Sequence, residues 1–264
     1  MKVKRLILCK DTFFWQIPYL CVMSIVRHAG NPQPPVVRDA DSMYRAIRRF
    51  GIIPFFENAV PGYSIEELTP PEFWFDGDDG AALGPWDWKI DVVQRGDIAY
   101  GKFLCGGKAA FATIEWYREL RNWRQAQERY RVVGEQEQVM AWLREHGTIS
   151  IREIRQLLGV KKSAADALLT RLQMQCRVVT GDIQRVYRGA DLHYNGWQVS
   201  SFCRPEDLFG GDAAPAFGGL VPAGLLDESP LQTSLAPEAS FALLRDHISS
   251  LTGAPLAAVE KLLR

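Results

Sequence analysis

Residues 150–176 read SIREIRQLLGVKKSAADALLTRLQMQC, and this stretch decides the expected fold. Ser150 and Glu153 form a capping-box pattern, in which each side chain bonds the backbone amide of the other, so a helix is predicted to begin after Ser150. Gly159 is expected to end that helix, because glycine readily takes the left-handed conformation at helix C-termini. After a short turn, Ser163 is predicted to cap the next helix.

The flanking residues extend this helix pair into a winged helix-turn-helix. Residues 135–146 have the apolar spacing of a preceding helix, and Gly147 follows as a stop. Two strand-like runs, residues 177–179 and 196–200, lie on either side of a polar segment rich in glycine and arginine. Three short helices and a two-stranded wing are typical of proteins that place the last helix in the DNA major groove. The same architecture also serves contacts between proteins, so the pattern favours nucleic acid and leaves a protein partner open.

The whole chain is predicted to have an α+β fold built around this winged helix-turn-helix at residues 133–209. Residues 37–132 form an N-terminal α+β region with a β-hairpin, and residues 210–264 form a linker and a C-terminal helical hairpin. We interpret residues 1–36 as disordered, or as an extension read from an upstream start codon. Their apolar stretch is interrupted by charged residues and proline, which fits neither a membrane span nor a signal peptide.

Two further paired elements are predicted in the flanking regions. Residues 98–104 and 108–113 are strand-like and flank Cys105-Gly106-Gly107, and a Gly-Gly turn between two such runs indicates a β-hairpin. Residues 237–264 contain two short helical patterns around Gly253-Ala254-Pro255, which predicts an αα-hairpin. The longest single helix is expected over residues 113–131.

Composition and charge are ordinary for a soluble globular protein when taken over all 264 residues, with 47% apolar and 23% charged residues. The 31 basic and 31 acidic residues cancel, so the net charge does not indicate a polyanionic partner. Charge is distributed unevenly, however. Residues 57–91 hold nine acids and one base, whereas residues 144–188 hold nine bases and four acids. This local excess favours one nucleic-acid face, and ordinary solvated helix faces are the alternative explanation.

Cysteine, histidine and glycine patterns provide little sign of other chemistry. The five cysteines are scattered without a C-x-x-C spacing, so reduced thiols in a cytoplasm are expected. The sequence has no Walker loop, dinucleotide fingerprint or nucleophile elbow. The acidic loop at residues 76–80 lacks the remaining ligands of an EF-hand and is interpreted as a solvated turn. We therefore predict a cytoplasmic protein with no cofactor, no metal and no membrane partner.

Gln173 and Gln175 are the candidate chemical site, at the end of the third helix. Side chains two residues apart share a face in an extended strand but diverge by about 200° on a helix. If the helix gives way to the wing strand here, both amides are expected to face one site. Each amide carries donors and an acceptor, so such a pair suits a water molecule or a base edge. Two polar residues at the end of an amphipathic helix are the alternative interpretation.

Four segments resemble a bacterial family related to the AlkZ-type alkylpurine DNA glycosylases. They are residues 51–67 (GIIPFFENAVPGYSIEE), 84–89 (GPWDWK), 100–103 (YGKF) and 170–175 (TRLQMQ). The resemblance covers roughly residues 38–264. In those glycosylases, tandem winged helices cradle DNA, and a Gln-x-Gln or Gln-x-Asp motif positions the water that attacks the sugar. The resemblance implies the same motif at Gln173 and Gln175, although only one winged helix is evident here.

Double-stranded DNA is the predicted partner. The expected contacts are Lys161, Lys162, Ser163 and Arg171 on the recognition helix, with Arg185 and Arg188 of the wing on phosphates. If the chain is an enzyme, Gln173 and Gln175 orient a water for N-glycosidic cleavage of an alkylated purine. Trp86 or Trp88 would then supply the pocket for a flipped base. A non-catalytic DNA-binding regulator or repair accessory, and a protein-interaction module, are the alternatives.

Overall fold

Two antiparallel three-stranded sheets with helices packed around them make up the part of the chain that the computed structural model describes. The described residues are 34–74, 84–210 and 230–264. Residues 1–33 of the predicted extension, the acidic loop at 76–80 and residues 211–224 of the predicted linker lie outside them. Residues 35–264 belong to one compact unit.

The first sheet lies in the N-terminal half and has the strand order β1-β3-β2. Its elements are α1 (Ala40–Phe50), β1 (Ile52–Pro54), α2 (Ile65–Leu68), a 3-10 turn (Pro71–Phe73), α3 (Pro85–Val93), β2 (Ile98–Leu104) and β3 (Lys108–Thr113). The β2–β3 hairpin matches the predicted one in both strands. Its register shifts between Gly101 and Leu104, where a bulge interrupts the ladder.

A long helix then leads to the second sheet. α4 (Ile114–Gln125) and a 3-10 turn (Glu128–Tyr130) take the place of the single helix predicted over residues 113–131. The following elements are α5 (Glu135–His146), β4 (Thr148–Ser150), α6 (Ile151–Leu158), α7 (Lys162–Met174), β5 (Val179–Arg188), β6 (His193–Cys203) and α8 (Pro205–Phe209). The strand order is β4-β6-β5, so β4, which the sequence patterns do not predict, pairs with β6 beside the β5–β6 hairpin.

The C-terminal helices form the predicted pair. α9 (Pro237–Thr252) ends at Gly253, which takes the left-handed conformation that closes a helix. α10 (Leu256–Leu263) follows after Pro255. Both helices contribute apolar side chains to the main core, including Leu244, Val259 and Leu263.

Local signals explain why the central helices begin and end where they do. Ser150 and Glu153 form the predicted capping box of α6, and Gly159 closes that helix in the left-handed conformation. The prediction that Ser163 caps α7 is wrong. α7 begins at Lys162 with Lys161 at the N-cap, and no side-chain bond caps it. The Lys161 carbonyl accepts the amides of residues 164 and 165, so the chain enters the helix before Ser163.

Two clusters of buried apolar side chains hold the described residues together. The larger one joins the first sheet to α1, α4, α9 and α10. The smaller one lies among α5, α6 and α7, and β-strand residues such as Ile149 and Phe202 complete it. The larger cluster also includes Val179 and Ile183 of β5, so the second sheet is anchored on the first region as well as on its own helices.

Candidate nucleic-acid interface

α7 and its N-cap residue expose small and basic side chains between Lys161 and Arg171. Its inward positions include Ala165, Leu169 and Leu172, which are buried in the smaller core. The exposed residues include Lys161, Lys162, Ser163, Ala164, Ala167 and Arg171. Ser163, Ala164 and Ala167, which lie between these cations, have small side chains. A broad surface such as a DNA groove is therefore able to approach the helix closely.

Three exposed cations, Lys161, Lys162 and Arg171, lie along α7 and at its N-cap. Among the ion pairs of the described residues, none involves Lys161, Lys162 or Arg171. An unpaired exposed cation keeps its full capacity to bind a phosphate, since no ion pair has to be broken first. The structure therefore brings four of the six sequence-predicted contact residues onto one accessible stretch of chain.

Arg185, predicted to contact phosphate from the wing, is already held by carboxylates. Its Nε and one Nη donate to the two Asp87 oxygens, each at 2.9 Å, and that Nη also donates to Asp91 at 3.0 Å. The Tyr194 hydroxyl donates to Asp87 as well, at 2.9 Å. Burial alone raises the pKa of Asp87, but the Arg185 and Tyr194 hydrogen bonds outweigh it and lower that pKa overall. The Asp87 bonds raise the pKa of Arg185.

Lys89 adds further hydrogen bonds between α3 and the β5–β6 hairpin. Its side chain is buried, and Nζ donates to the Trp86 carbonyl and to Gln198 Oε1, both at 2.7 Å. Nζ also lies 4.0 Å from the centre of the Trp86 ring. Burial lowers the pKa of Lys89 to about 7. The β5–β6 hairpin is thus fixed on α3 by hydrogen bonds that sequence spacing does not reveal, because their partners are about 100 residues apart.

The tip of the β5–β6 hairpin is exposed. Arg188, the other predicted phosphate contact, is exposed and stacks on the Trp197 ring at 4.7 Å. Tyr187, Leu192 and Trp197 are more than half exposed. Arg188 therefore stays accessible to a ligand, in contrast to Arg185 on the same strand.

Gln173 is a buried side chain that supports the β2 bulge. Its Oε1 accepts the backbone N–H of Lys102 at 2.6 Å. The bulge leaves that N–H outside the regular β2–β3 ladder, so the glutamine supplies the missing acceptor. A Cβ on Gly101 would lie 2.7 Å from Oε1, and glycine there makes the close approach possible.

The Gln175 side chain bonds residues of a different region from those that Gln173 contacts. Its Nε2 donates to the Arg131 carbonyl and to Gln136 Oε1, each at 3.0 Å. Helical geometry continues to this residue, which is the C-cap of α7 in the right-handed conformation. The expectation that Gln173 and Gln175 face one site is therefore wrong, because the stretch is helical where a shared face requires an extended chain. Both side chains are 2% exposed.

A cavity of about 1070 Å³ opens beside the β2–β3 hairpin. Its lining combines aromatic, basic and acidic side chains: Phe56, Trp86, Tyr100, Lys102, Lys108, Lys261, Glu57 and Glu66. Trp86, one of the two tryptophans suggested for a base pocket, lines it. Trp88 is not among the lining residues and lies against Phe73. Burial raises the pKa of Cys105, which also lines the cavity, to about 11, so this thiol is neutral at pH 7.

Sequence reasoning missed most of this cavity because its walls come from distant segments. Lys102 and Lys108 stand out in the sequence only as lysines beside a tight turn. Lys261 arrives from the C-terminal helix and Glu66 from α2. Two sequence signals pointed to this place: the Gly-Gly turn, which fixes the hairpin that forms one wall, and Trp86, which was suggested for a base pocket.

Comparison with known families agrees with the sequence resemblance. The family model described as AlkZ related matches residues 37–264, which is most of the chain. The chain belongs to the AlkZ-related family. No curated protein and no solved structure matches it. Membership supports a role related to DNA repair.

Membrane-spanning helices and metal-binding clusters are both absent from the described residues. No described helix combines the length and the apolar character needed to cross a bilayer. Among residues 34–74, 84–210 and 230–264, no group of three His, Cys, Asp or Glu side chains is arranged to hold a metal ion.

Proposed function

We propose that this AlkZ-related chain is a winged helix-turn-helix protein that binds duplex DNA in DNA repair. α5, α6 and α7 supply the three helices, with α7 as the recognition helix. The β5–β6 hairpin supplies the wing, and β4 adds the short third strand. This order of elements is typical of winged-helix proteins, and family membership supports the repair context.

The exposed, unpaired cations of α7 carry this proposal. Lys161 and Lys162 lie at the start of the helix, and Arg171 lies two and a half turns further on. The helix N-terminus adds its own partial positive charge and free amides, which favour a phosphate.

The wing has two different roles in this proposal. Arg188 contacts a phosphate from the exposed hairpin tip, with Trp197 beneath it restricting its orientation. Arg185 positions the wing by binding Asp87 and is not itself a phosphate ligand. This assignment departs from the sequence-based prediction, which placed both arginines on phosphates.

Among repair roles, the geometry favours binding over hydrolysis by the glutamine pair. A water that attacks a sugar needs an acceptor at a site open to substrate, and both amides are buried. Gln173 Oε1 already accepts the Lys102 N–H, and Gln175 Oε1, which has no hydrogen-bond partner among the described residues, is closed off from solvent. We therefore propose a repair accessory, with glycosylase activity through Gln173 and Gln175 as the alternative that an assay must exclude.

The decisive experiment is a fluorescence-anisotropy titration of a labelled duplex over a range of salt concentrations. Replacing Lys161 and Lys162 together by alanine is expected to weaken binding and to reduce the salt slope by about two, one for each phosphate contact. The double replacement of Arg45 and Arg48, exposed cations of α1, removes the same charge from another surface and should leave the slope nearly unchanged. Equal effects of the two double variants, or no binding at low salt, would reject the proposal and favour a protein partner.

The catalytic alternative has its own test. A duplex carrying an alkylated purine is incubated with the protein, and released base is measured against an undamaged duplex. We expect no release. Base release that is abolished by Gln175→Ala but survives Gln138→Ala, a change at an exposed glutamine of α5, would establish the glycosylase role instead.

A further inference from the structure

We propose that the cavity beside the β2–β3 hairpin binds one unstacked nucleotide, with its base against the aromatic wall and its phosphate near the lysines. Where that nucleotide belongs to a DNA strand, the inference rests on the proposed function. The same chemistry would also take a free nucleotide, and the experiment below separates the two sources. At about 1070 Å³ the cavity is at the upper end of the size of small-molecule sites.

The aromatic wall is held in place from within the protein. Trp86 stacks on Phe55 with ring centres 5.5 Å apart, and Phe56 meets it edge-on at 6.0 Å. Lys89 Nζ lies against the same ring. Trp86 nevertheless keeps 37% of its surface exposed, which is unusual for a ring with so many neighbours. A rigid, partly exposed aromatic ring suits contact with any base, because every base has a π-face.

The cationic side of the cavity comes from three lysines on separate segments. Lys102 is on β2, Lys108 begins β3 and Lys261 is on α10. Lys102 and Lys261 form no ion pair with the described residues, whereas Lys108 reaches the Glu57 carbonyl at 3.4 Å. Cations and aromatic rings lining one opening match the two halves of a nucleotide, the charged phosphate and the planar base.

The acidic lining residues do not cancel this match. One oxygen of Glu66 accepts the backbone N–H of Glu57 at 2.8 Å, so that carboxylate is engaged in holding the loop. A carboxylate at the rim also accepts hydrogen bonds from exocyclic amino groups of bases, as carboxylates do in DNA recognition. The lining therefore offers a contact to each chemical part of a nucleotide.

The cavity adjoins the recognition helix. Gln173 of α7 binds the backbone of Lys102, and a Cβ on Gly107 would lie 2.8 Å from Thr170 of α7. Thr170 is next to the exposed Arg171. A DNA strand held on α7 would therefore run close to the opening, where a nucleotide that leaves the stack is able to enter.

The test compares two labelled duplexes, one fully paired and one with a single unpaired adenosine, by fluorescence anisotropy. The intact protein is expected to bind the bulged duplex at least about fivefold more tightly, the lower end of what one base–aromatic contact contributes. Trp86→Leu is expected to remove that preference without changing affinity for the paired duplex. Trp142→Leu, at a half-buried tryptophan of α5, is the matched control and should retain the preference.

Further arms decide the source and guard against misfolding. Calorimetric titration with deoxyadenosine monophosphate tests the free nucleotide: Trp86-dependent binding of it without any duplex binding would uphold the cavity while refuting the proposed function. If Trp86→Leu does not fold, the double change of Lys102 and Lys261 to alanine replaces it, with the same expected loss of preference. The inference is overturned if the protein neither prefers the bulged duplex over the paired one nor binds the mononucleotide. It is also overturned if Trp86→Leu and Trp142→Leu lose the preference for the bulged duplex equally.

Discussion

The two ends of α7 differ sharply although they belong to one helix of 13 residues. At the N-terminal end, Lys161 and Lys162 are exposed and form no ion pair with any residue that the structure describes. At the C-terminal end, Gln173 binds the β2 backbone and Gln175 binds Gln136, all out of solvent. The difference shows that polar residues near a suspected site fall into two groups. Those whose hydrogen bonds are already made support the fold, and those left open are available to a ligand.

Arg124 makes the buried end of α7 the more sensitive one to mutation. Its guanidinium donates to the Met174 carbonyl at 2.8 Å and to the Leu263 carbonyl at 2.6 Å, and so satisfies the C-terminal ends of two helices. Arg124→Leu is expected to lower the free energy of unfolding by about 2–4 kcal/mol, because buried carbonyls lose a charged donor. Urea denaturation measures it. Arg129→Leu, at an exposed neighbour, is the control, and a similar loss in both would contradict the anchoring role.

Gln173 gives the next largest effect and tests the buried end directly. Gln173→Leu leaves the Lys102 N–H of the bulge without an acceptor, so we expect a loss of about 1–3 kcal/mol in unfolding free energy. Hydrogen exchange at the Lys102 amide should accelerate at the same time. Gln138→Leu makes the same change at an exposed position of α5 and should cost much less. An unchanged exchange rate at Lys102 would contradict the inferred hydrogen bond.

Asp87→Asn tests whether the half-buried, carboxylate-bound Arg185 can be made available to a ligand. Losing the two-point bond to Arg185 is expected to cost about 1–2 kcal/mol, since both side chains are about one quarter exposed and solvent screens the pair. The freed Arg185 should then increase the salt slope of DNA binding by up to about one. Asp91→Asn, which removes one hydrogen bond to Arg185, should give a smaller change in both measurements. A flatter slope in Asp87→Asn would contradict the positioning role of Arg185.

Arg188→Ala is expected to have the smallest effect on stability, within about 0.5 kcal/mol, because the side chain is exposed. Its loss should reduce the salt slope by about one, in line with one phosphate contact. Anisotropy titrations at several salt concentrations measure the slope, and thermal unfolding measures the stability. A stability loss as large as that of Gln173→Leu would place Arg188 among the supporting residues.

Predictions from the sequence succeeded where a few neighbouring residues decide the outcome. The Ser150–Glu153 capping box, the Gly159 stop and the hairpin around Gly106 and Gly107 all depend on backbone conformations within one turn. Ser163 failed as a cap by two positions, because Lys161 already occupies the N-cap and its carbonyl accepts the amides of residues 164 and 165.

The candidate site was less predictable because its contacts span the chain. The basic residues of α7 were identified from the sequence, and the structure leaves them exposed. Arg185 and its partner Asp87 are 98 residues apart in the sequence, and Gln173 and Lys102 are 71 residues apart. No local pattern records such pairs, so the sequence could not separate Arg185 from Arg188 or reveal that the two glutamines diverge.

The sequence by itself determined the helix start at Ser150, the β2–β3 hairpin and the pair of C-terminal helices, because caps and turns act over a few residues, and its motifs indicated the AlkZ-related family. Tertiary structure alone decided which polar groups remain open. A cation or amide is available to a ligand only if no distant carboxylate or carbonyl has been folded against it. That depends on how distant segments pack, here α3 against the β5–β6 hairpin and α7 against β2. In both places, the hydrogen bonds formed on folding occupy some polar groups and leave others exposed to solvent.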